Sequence, residues 1–288
     1  MTQILRKSLI IILAVFLFLS LDAQDKLAYK IVKGDGTDAT YSNMIDDLVQ
    51  YQIVMFGEEH NNAISHWLEL EITKDLHDTV SLVLGAEMIE ADNQDELNHY
   101  LSDSINAKAL DTLARLWSNY KTDYKPLVDF AKENKLNFVA TNIPRRYAKL
   151  VYKKSFNGLD SLTKEEKSWI APLPIKFDAK IKTYKEILVM MGDHGTPELV
   201  EAQAIKDATM AHFILSNMEE NTTFIHYHGC YHSDYQEGIL WHIDKMNPNI
   251  KHISISTVSQ DDVSVLEKQY IGKADYIIIV DSDMTTTY

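Results

Sequence analysis

The stretch Gln52-Ile53-Val54-Met55-Phe56-Gly57-Glu58-Glu59-His60 runs an apolar strand, Gln52–Phe56, straight into a glycine and three ionisable side chains. A helical pattern, Ala63–His77, follows at once. The same unit recurs along the chain. Apolar or β-branched runs at Val80–Ala86, Leu136–Thr141, Thr223–Tyr227, Lys251–Thr257 and Tyr276–Val280 are separated by helical stretches such as Ala107–Asn119, Tyr124–Asn134 and Pro197–Met218. Continuous apolar strands alternating with helices predict an α/β fold, a mainly parallel sheet flanked by helices. From Ser155 to Thr196 the rhythm breaks. There are helices but no strand, which predicts a helical insertion or lid (155–196) before the last third of one domain, 24–288. The polar tail Ser282–Tyr288 is expected to fray.

The first residues read as an export signal. Arg6 and Lys7 precede the apolar run Leu9–Leu19, and Ser20-Leu21-Asp22-Ala23-Gln24 follows, so residues 1–23 are expected to be a signal peptide cleaved after Ala23. Eleven apolar residues fall short of the roughly 20 that span a bilayer. The expected location is therefore periplasmic or secreted. Cys230 is the single cysteine, so there is no acceptor for bacterial lipid attachment and no intramolecular disulfide. Losing Arg6, Lys7 and Asp22 takes the net charge from −14 to −15. A chain that acidic is not built to bind nucleic acid, which demands cationic contacts to phosphate.

The ionisable residues collect at strand ends. Glu58 and His60 follow the first strand, and Glu87 the second. Asn142, with Arg145 and Arg146 beyond it, follows the third, and His228-Gly229-Cys230-Tyr231-His232 the fourth. In a parallel sheet these carboxyl ends share the edge where ligands bind. Each residue alone also has a structural explanation, as a helix cap, a paired carboxylate or a turn residue. Together they point to one site. His60 and His232 each close a Gly-x-x-His motif, and with Glu58 or Glu87 they make a candidate two-His, one-carboxylate metal set. The other glutamate would serve as general base, and Asn142 and Arg145 would hold an oxyanion or a substrate carboxylate. In Pro197–Met218, Gln203, Asp207 and Met210 at i, i+4 and i+7 share a face, as a buried hydrogen-bond network or as support for the site.

These segments resemble the ChaN haem-binding family of the wider Tiki, TraB and erythromycin-esterase superfamily. The resemblance rests on Val54–His60, Gly85-Ala86-Glu87-Met88, Asn142-Ile143-Pro144-Arg145, Glu201–Ala211, Gly229-x-x-His232 and Gly238-Ile239. It implies an envelope protein that binds haem or iron in haem/iron acquisition, with outer-membrane uptake components as partners and a homodimer clamping haem as one mode. It also implies an alternative, a metal-dependent hydrolase in which Glu58, His60, Glu87 and His232 carry the chemistry around a divalent metal ion. A haem needs an apolar slot and an axial ligand. The insertion offers Tyr184, Met190, Met191 and His194, although methionines on a helix also serve as core filling. Two departures stand out: the lipid-anchor cysteine is missing, and His226-Tyr227-His228 replaces a small-residue approach to the second motif.

Overall fold

The computed structural model describes residues 26–288; the expected signal peptide lies outside them. Its frame is a seven-stranded sheet of β1 (Tyr29–Lys33), β2 (Ile53–Glu58), β3 (Ser81–Glu90), β4 (Asn137–Asn142), β5 (Thr222–Gly229), β6 (His252–Gln260) and β7 (Tyr276–Asp281). The strand order is β1-β7-β6-β2-β5-β3-β4. All pairs are parallel except β1 with β7. Every residue of β2 is buried because helices cover both sides of the sheet.

The period-two alternation of strand side chains decides which layer each strand residue meets. Val54 and Phe56 of β2 pack with Ile225 and Tyr227 of β5 against α1 (Tyr41–Leu48), α2 (Ala63–His77) and the apolar face of α5 (Lys125–Asn134). Between α2 and α5 the chain forms α3 (Gln94–Leu101) and α4 (Ala107–Leu113). Ile53 and Met55 pack with Val83, Val139 and Phe224 on the other face, against Met210, Ala211 and Ile214 of α9 (Pro197–Ser216) and Ile239, Leu240 and Ile243 of α10 (Ile239–Met246). Between β4 and α9 lie α6 (Arg145–Lys154), α7 (Lys164–Lys167) and α8 (Lys182–Met191). The insertion 155–196 thus contains helices and no strand. It is fastened through Tyr184, which packs with Val200 and Ala204 of α9, and through Glu237, whose carboxylate accepts from the Lys182 and Thr183 backbone N–H groups at the start of α8. No helix of the described residues is long and apolar enough to cross a membrane.

Four expectations need correction. The edge strand β1 was not anticipated; its Lys30 and Lys33 interrupt a five-residue run too short to show a pattern. The helix expected over Ala107–Asn119 stops at Leu113. There Ala114 turns extended, and Arg115 is drawn to the other side of the chain, its backbone N–H to Asn93 and its guanidinium to Glu90 and Asp92. Strand β3 runs to Glu90, with a register shift against β4 between Ala86 and Glu90, so Glu87 sits inside the strand and not past its end. The tail does not fray. The Thr287 N–H donates to the Asn61 carbonyl (2.9 Å), the Thr287 hydroxyl to Asp123 (2.9 Å), and Thr286 bridges Asn62.

Helix α2 starts on Asn62, whose side-chain oxygen accepts from the Ile64 and Ser65 N–H groups at 3.0 and 3.1 Å. Those N–H groups have no partner within the helix, so the cap satisfies them. We expect Asn62→Ala to cost about 1 kcal/mol, read as a lower urea midpoint with an unchanged slope; an unchanged midpoint would show that the cap contributes nothing.

Candidate functional site

The carboxyl ends of β2, β3 and β5 bring Glu58, His60, Glu87 and His232 to one edge, but alternation sends the two glutamates to opposite layers. Glu58 follows Val54 and Phe56 to the α2 side; Glu87 follows Val83 to the α9 side. Two buried networks result.

On the α9 side, His232 stands between two carboxylates. Its Nε2 is 3.2 Å from Glu87 Oε1, and its Nδ1 donates to Asp207 Oδ1. Asp207 also accepts from the Tyr184 hydroxyl at 2.7 Å, and the Gln203 amide lies 3.0 Å from His232 Nδ1. Burial opposes charge on His232, yet Glu87 and Asp207 outweigh it and push its pKa up to about 10. Burial likewise opposes ionisation of Glu87, and the facing His232 and His60 hold it well below the usual carboxylate range. The second oxygen of Glu87 accepts from the Gly229 N–H at 2.9 Å. In this arrangement both nitrogens of His232 are engaged by carboxylates.

On the α2 side, Glu58 Oε1 accepts from the Tyr124 hydroxyl (2.7 Å) and from His60 Nδ1 (2.6 Å). Its other oxygen, Oε2, lies 3.3 Å from His66 Nδ1, and the same nitrogen is 3.3 Å from Glu69 Oε2. His66 Nε2 donates to the His60 carbonyl at 3.1 Å and faces Asp123 at 3.5 Å. Asn119 and Thr287 hold Asp123 in turn. Burial opposes charge on His66, but Glu58 and Glu69 raise its pKa to about 11. Burial and the neighbouring Glu58 push the Glu69 carboxyl well above the usual carboxylate range.

The two networks meet at His60 and Gly229. A Cβ built on Gly229 would lie 2.7 Å from His60 Nε2 and 3.7 Å from Glu87, so only glycine lets this imidazole reach the strand end. His60 also meets Trp117 edge to face, with ring centroids 4.9 Å apart. Trp117 opens onto a cleft of about 710 Å³ that Arg115, Arg145, Arg146 and Tyr288 also line.

The other expected residues are scattered. Arg145 is exposed and makes no side-chain hydrogen bond or ion pair among the described residues; Arg146 pairs with Asp92. Asn142 is buried at the end of β4 with its Oδ1 unpartnered among the described residues. Met210 is core. His226 and His228 point inward. His226 Nε2 donates to the Thr141 hydroxyl (2.7 Å), whose own proton goes to the Ala86 carbonyl, and His228 Nε2 accepts from Ser233 (2.7 Å). Burial holds His226 well below its usual range and His228 at about 3, so both stay neutral. Of the insertion residues, Tyr184 is buried with its hydroxyl committed to Asp207, which removes it from the axial candidates. Met190, Met191 and His194 are exposed. The sequence reading missed His66, Glu69, Asp123 and Tyr124. The signal was present on α2, where His66, Glu69 and Thr73 at i, i+3 and i+7 form a buried polar stripe.

The family model described as haem-binding uptake, Tiki superfamily, ChaN matches residues 44–243. The chain belongs to the ChaN family. Among solved structures, this ChaN-family chain resembles ChaN of Campylobacter jejuni, described as showing cofacial haem binding, with 18% identity, 88% of this chain and 97% of that one covered, and a TM-score of 0.66. The erythromycin esterase EreC in its open conformation is similar at 11% identity, 89% and 98% coverage and a TM-score of 0.52. A succinoglycan biosynthesis protein is similar at 10% identity, 88% and 94% coverage and a TM-score of 0.53. At such identities the likeness is one of fold. No curated protein matches the sequence.

Because the folded pKa of His232 is raised, its contribution to stability is fully present below pH 6.5 and is lost as pH rises through about 10. His232→Gln should cost about 3–5 kcal/mol at the low end of that window, since it strips a buried charge pair of one partner. The gap to wild type should close as the pH passes 10 in urea unfolding at stepped pH; a gap independent of pH would contradict the charged His232.

Proposed function

We propose that this chain binds haem, and that it does so in the groove beside α8. The observation that carries the reading is membership of the ChaN haem-binding family over residues 44–243. The groove supports it chemically. It has a volume of about 600 Å³ and is lined by Val189 and Met190, by Lys180, Lys182 and Lys185, and by Glu186 and Glu237, within the size of typical small-molecule sites. Val189, Met190 and Met191 are exposed on α8, an apolar face of the kind a porphyrin ring covers. The lysines suit the propionates. Two side chains there offer iron a donor atom, the Met190 thioether and the half-exposed Tyr231 phenol, whose hydroxyl lies 3.9 Å from Met190 Sδ. His194, one turn beyond α8, is a third. Export followed by a role in haem or iron acquisition, with outer-membrane uptake components as partners and a second copy sharing the haem, completes the reading; the Arg6-to-Ala23 pattern supports the export.

The hydrolase alternative needs Glu58, His60, Glu87 and His232 around one divalent ion, which would require His232 to release one of the two carboxylates that now engage it.

Titration with haemin should give a saturable Soret shift, weakened at least about tenfold when an axial donor is removed, the scale of loss known for a metal site's supporting groups. The variants are Met190→Ala, Tyr231→Phe and His194→Ala. Failure of the wild-type chain to shift the band would overturn haem binding. A shift untouched by all three variants but lost in Trp117→Ala would move the haem to the arginine-lined cleft.

A further inference from the structure

We propose that Glu58, His66 and Glu69 form a buried site for one divalent transition-metal ion, separate from the haem groove and sharing only Glu58 with the paired Gly-x-x-His arrangement. One donor atom from each of the three residues lies within 4.8 Å of the others, and all three residues are buried. The contacts are long for hydrogen bonds and match the spacing of ligand atoms in a coordination shell. His66 Nδ1 stands 3.3 Å from both Glu58 Oε2 and Glu69 Oε2. Metal–nitrogen and metal–oxygen bonds of about 2.0–2.2 Å in a tetrahedron put neighbouring ligand atoms about 3.3–3.6 Å apart.

Two oxygens are left over. Glu58 Oε2 and Glu69 Oε1 have no hydrogen-bond partner among the described residues, and Glu69 is fully buried. An unpartnered buried carboxylate oxygen is costly and calls for an explanation such as a bound ion.

The surroundings orient each ligand. His66 Nε2 donates to the His60 carbonyl, which leaves Nδ1 to face the two carboxylates. This is the outer contact that metal-bound histidines make. Tyr124 and His60 both hold Glu58 Oε1, which turns Oε2 toward His66 and Glu69. Asn62, by capping α2, fixes the helix that supplies two of the three ligands.

Charge also balances. With both carboxylates ionised and His66 neutral, a doubly charged ion makes the three-ligand site neutral. Any proton held on His66 Nδ1 or on a carboxyl leaves on binding, because the ligands coordinate deprotonated. Nitrogen and carboxylate donors without sulfur select zinc, manganese or ferrous iron over copper(I), and over magnesium, which demands near-ideal octahedral oxygen geometry.

The test uses haem-free full-length chain, treated with chelator, dialysed and titrated with Zn²⁺ by calorimetry in buffers of different ionisation enthalpy, and with Co²⁺ by its visible ligand-field absorption. The expected result is one ion per chain, proton release on binding, and a Tm raised by Zn²⁺. Glu69→Gln keeps the shape of the side chain while removing its charge, and should weaken binding by at least about tenfold, the loss known even for outer partners of a metal ligand; His66→Gln is the second variant should the first not fold. A folded wild-type chain that binds no ion overturns the proposal. So does an ion lost in His232→Gln but retained in Glu69→Gln, which would place it at the Gly-x-x-His cluster.

Discussion

Side chains on a β-strand alternate between faces, and in this sheet that rule determines which layer each strand-borne functional group meets. Glu58 falls on the face that carries α2, so it meets His66 and Glu69. Glu87 and His228 fall on the face that carries α9. A one-residue slip of β2 would exchange its apolar core residues with Glu58 and bury a carboxylate in the wrong layer. The parallel register between β2 and β5, which sets Glu58 beside Gly229, is therefore the constraint on which both networks rest.

The two networks are electrostatically unlike. Around His232 one imidazolium lies between two carboxylates, and the cluster is stable only while the imidazole keeps its charge. Around His66 two carboxylates share one imidazole, and one of them must be protonated or matched by added positive charge. Buried ion pairs seldom add net stability over well-packed apolar residues, because desolvation offsets the attraction. Two such clusters joined at one sheet edge through His60 mark a region shaped for ligands or chemistry, since packing alone would be served by apolar residues. The neutral pair His226 and His228 differs: its hydrogen bonds go to the neighbouring hydroxyls of Thr141 on β4 and Ser233 just beyond β5, and it acts as structure.

The apolar surface of α8 is separate from this polar edge but linked to it through Tyr184, which leaves the insertion to bind Asp207, the partner of His232. The insertion thus presents Val189, Met190 and Met191 outward while its inner face is anchored to the charged network.

The α/β class, strands β2 to β7 and the collection of Glu58, His60, Glu87 and His232 at the carboxyl edge were legible in the sequence, because apolar runs and strand-end motifs are local signals. So was the shared face of Gln203 and Asp207, a matter of helical spacing. The edge strand β1 was not, since five residues with two lysines show no clear period. Nor was the fastening of the tail, which depends on Asn61, Asn62 and Asp123, far away in the chain. The split of the four expected residues into two networks, and the recruitment of His66, Glu69, Asp123 and Tyr124, required the tertiary structure. Spacing along a strand tells that a carboxylate lies at its end; which helix covers that face, and so which histidine it meets, is settled only when the layers pack.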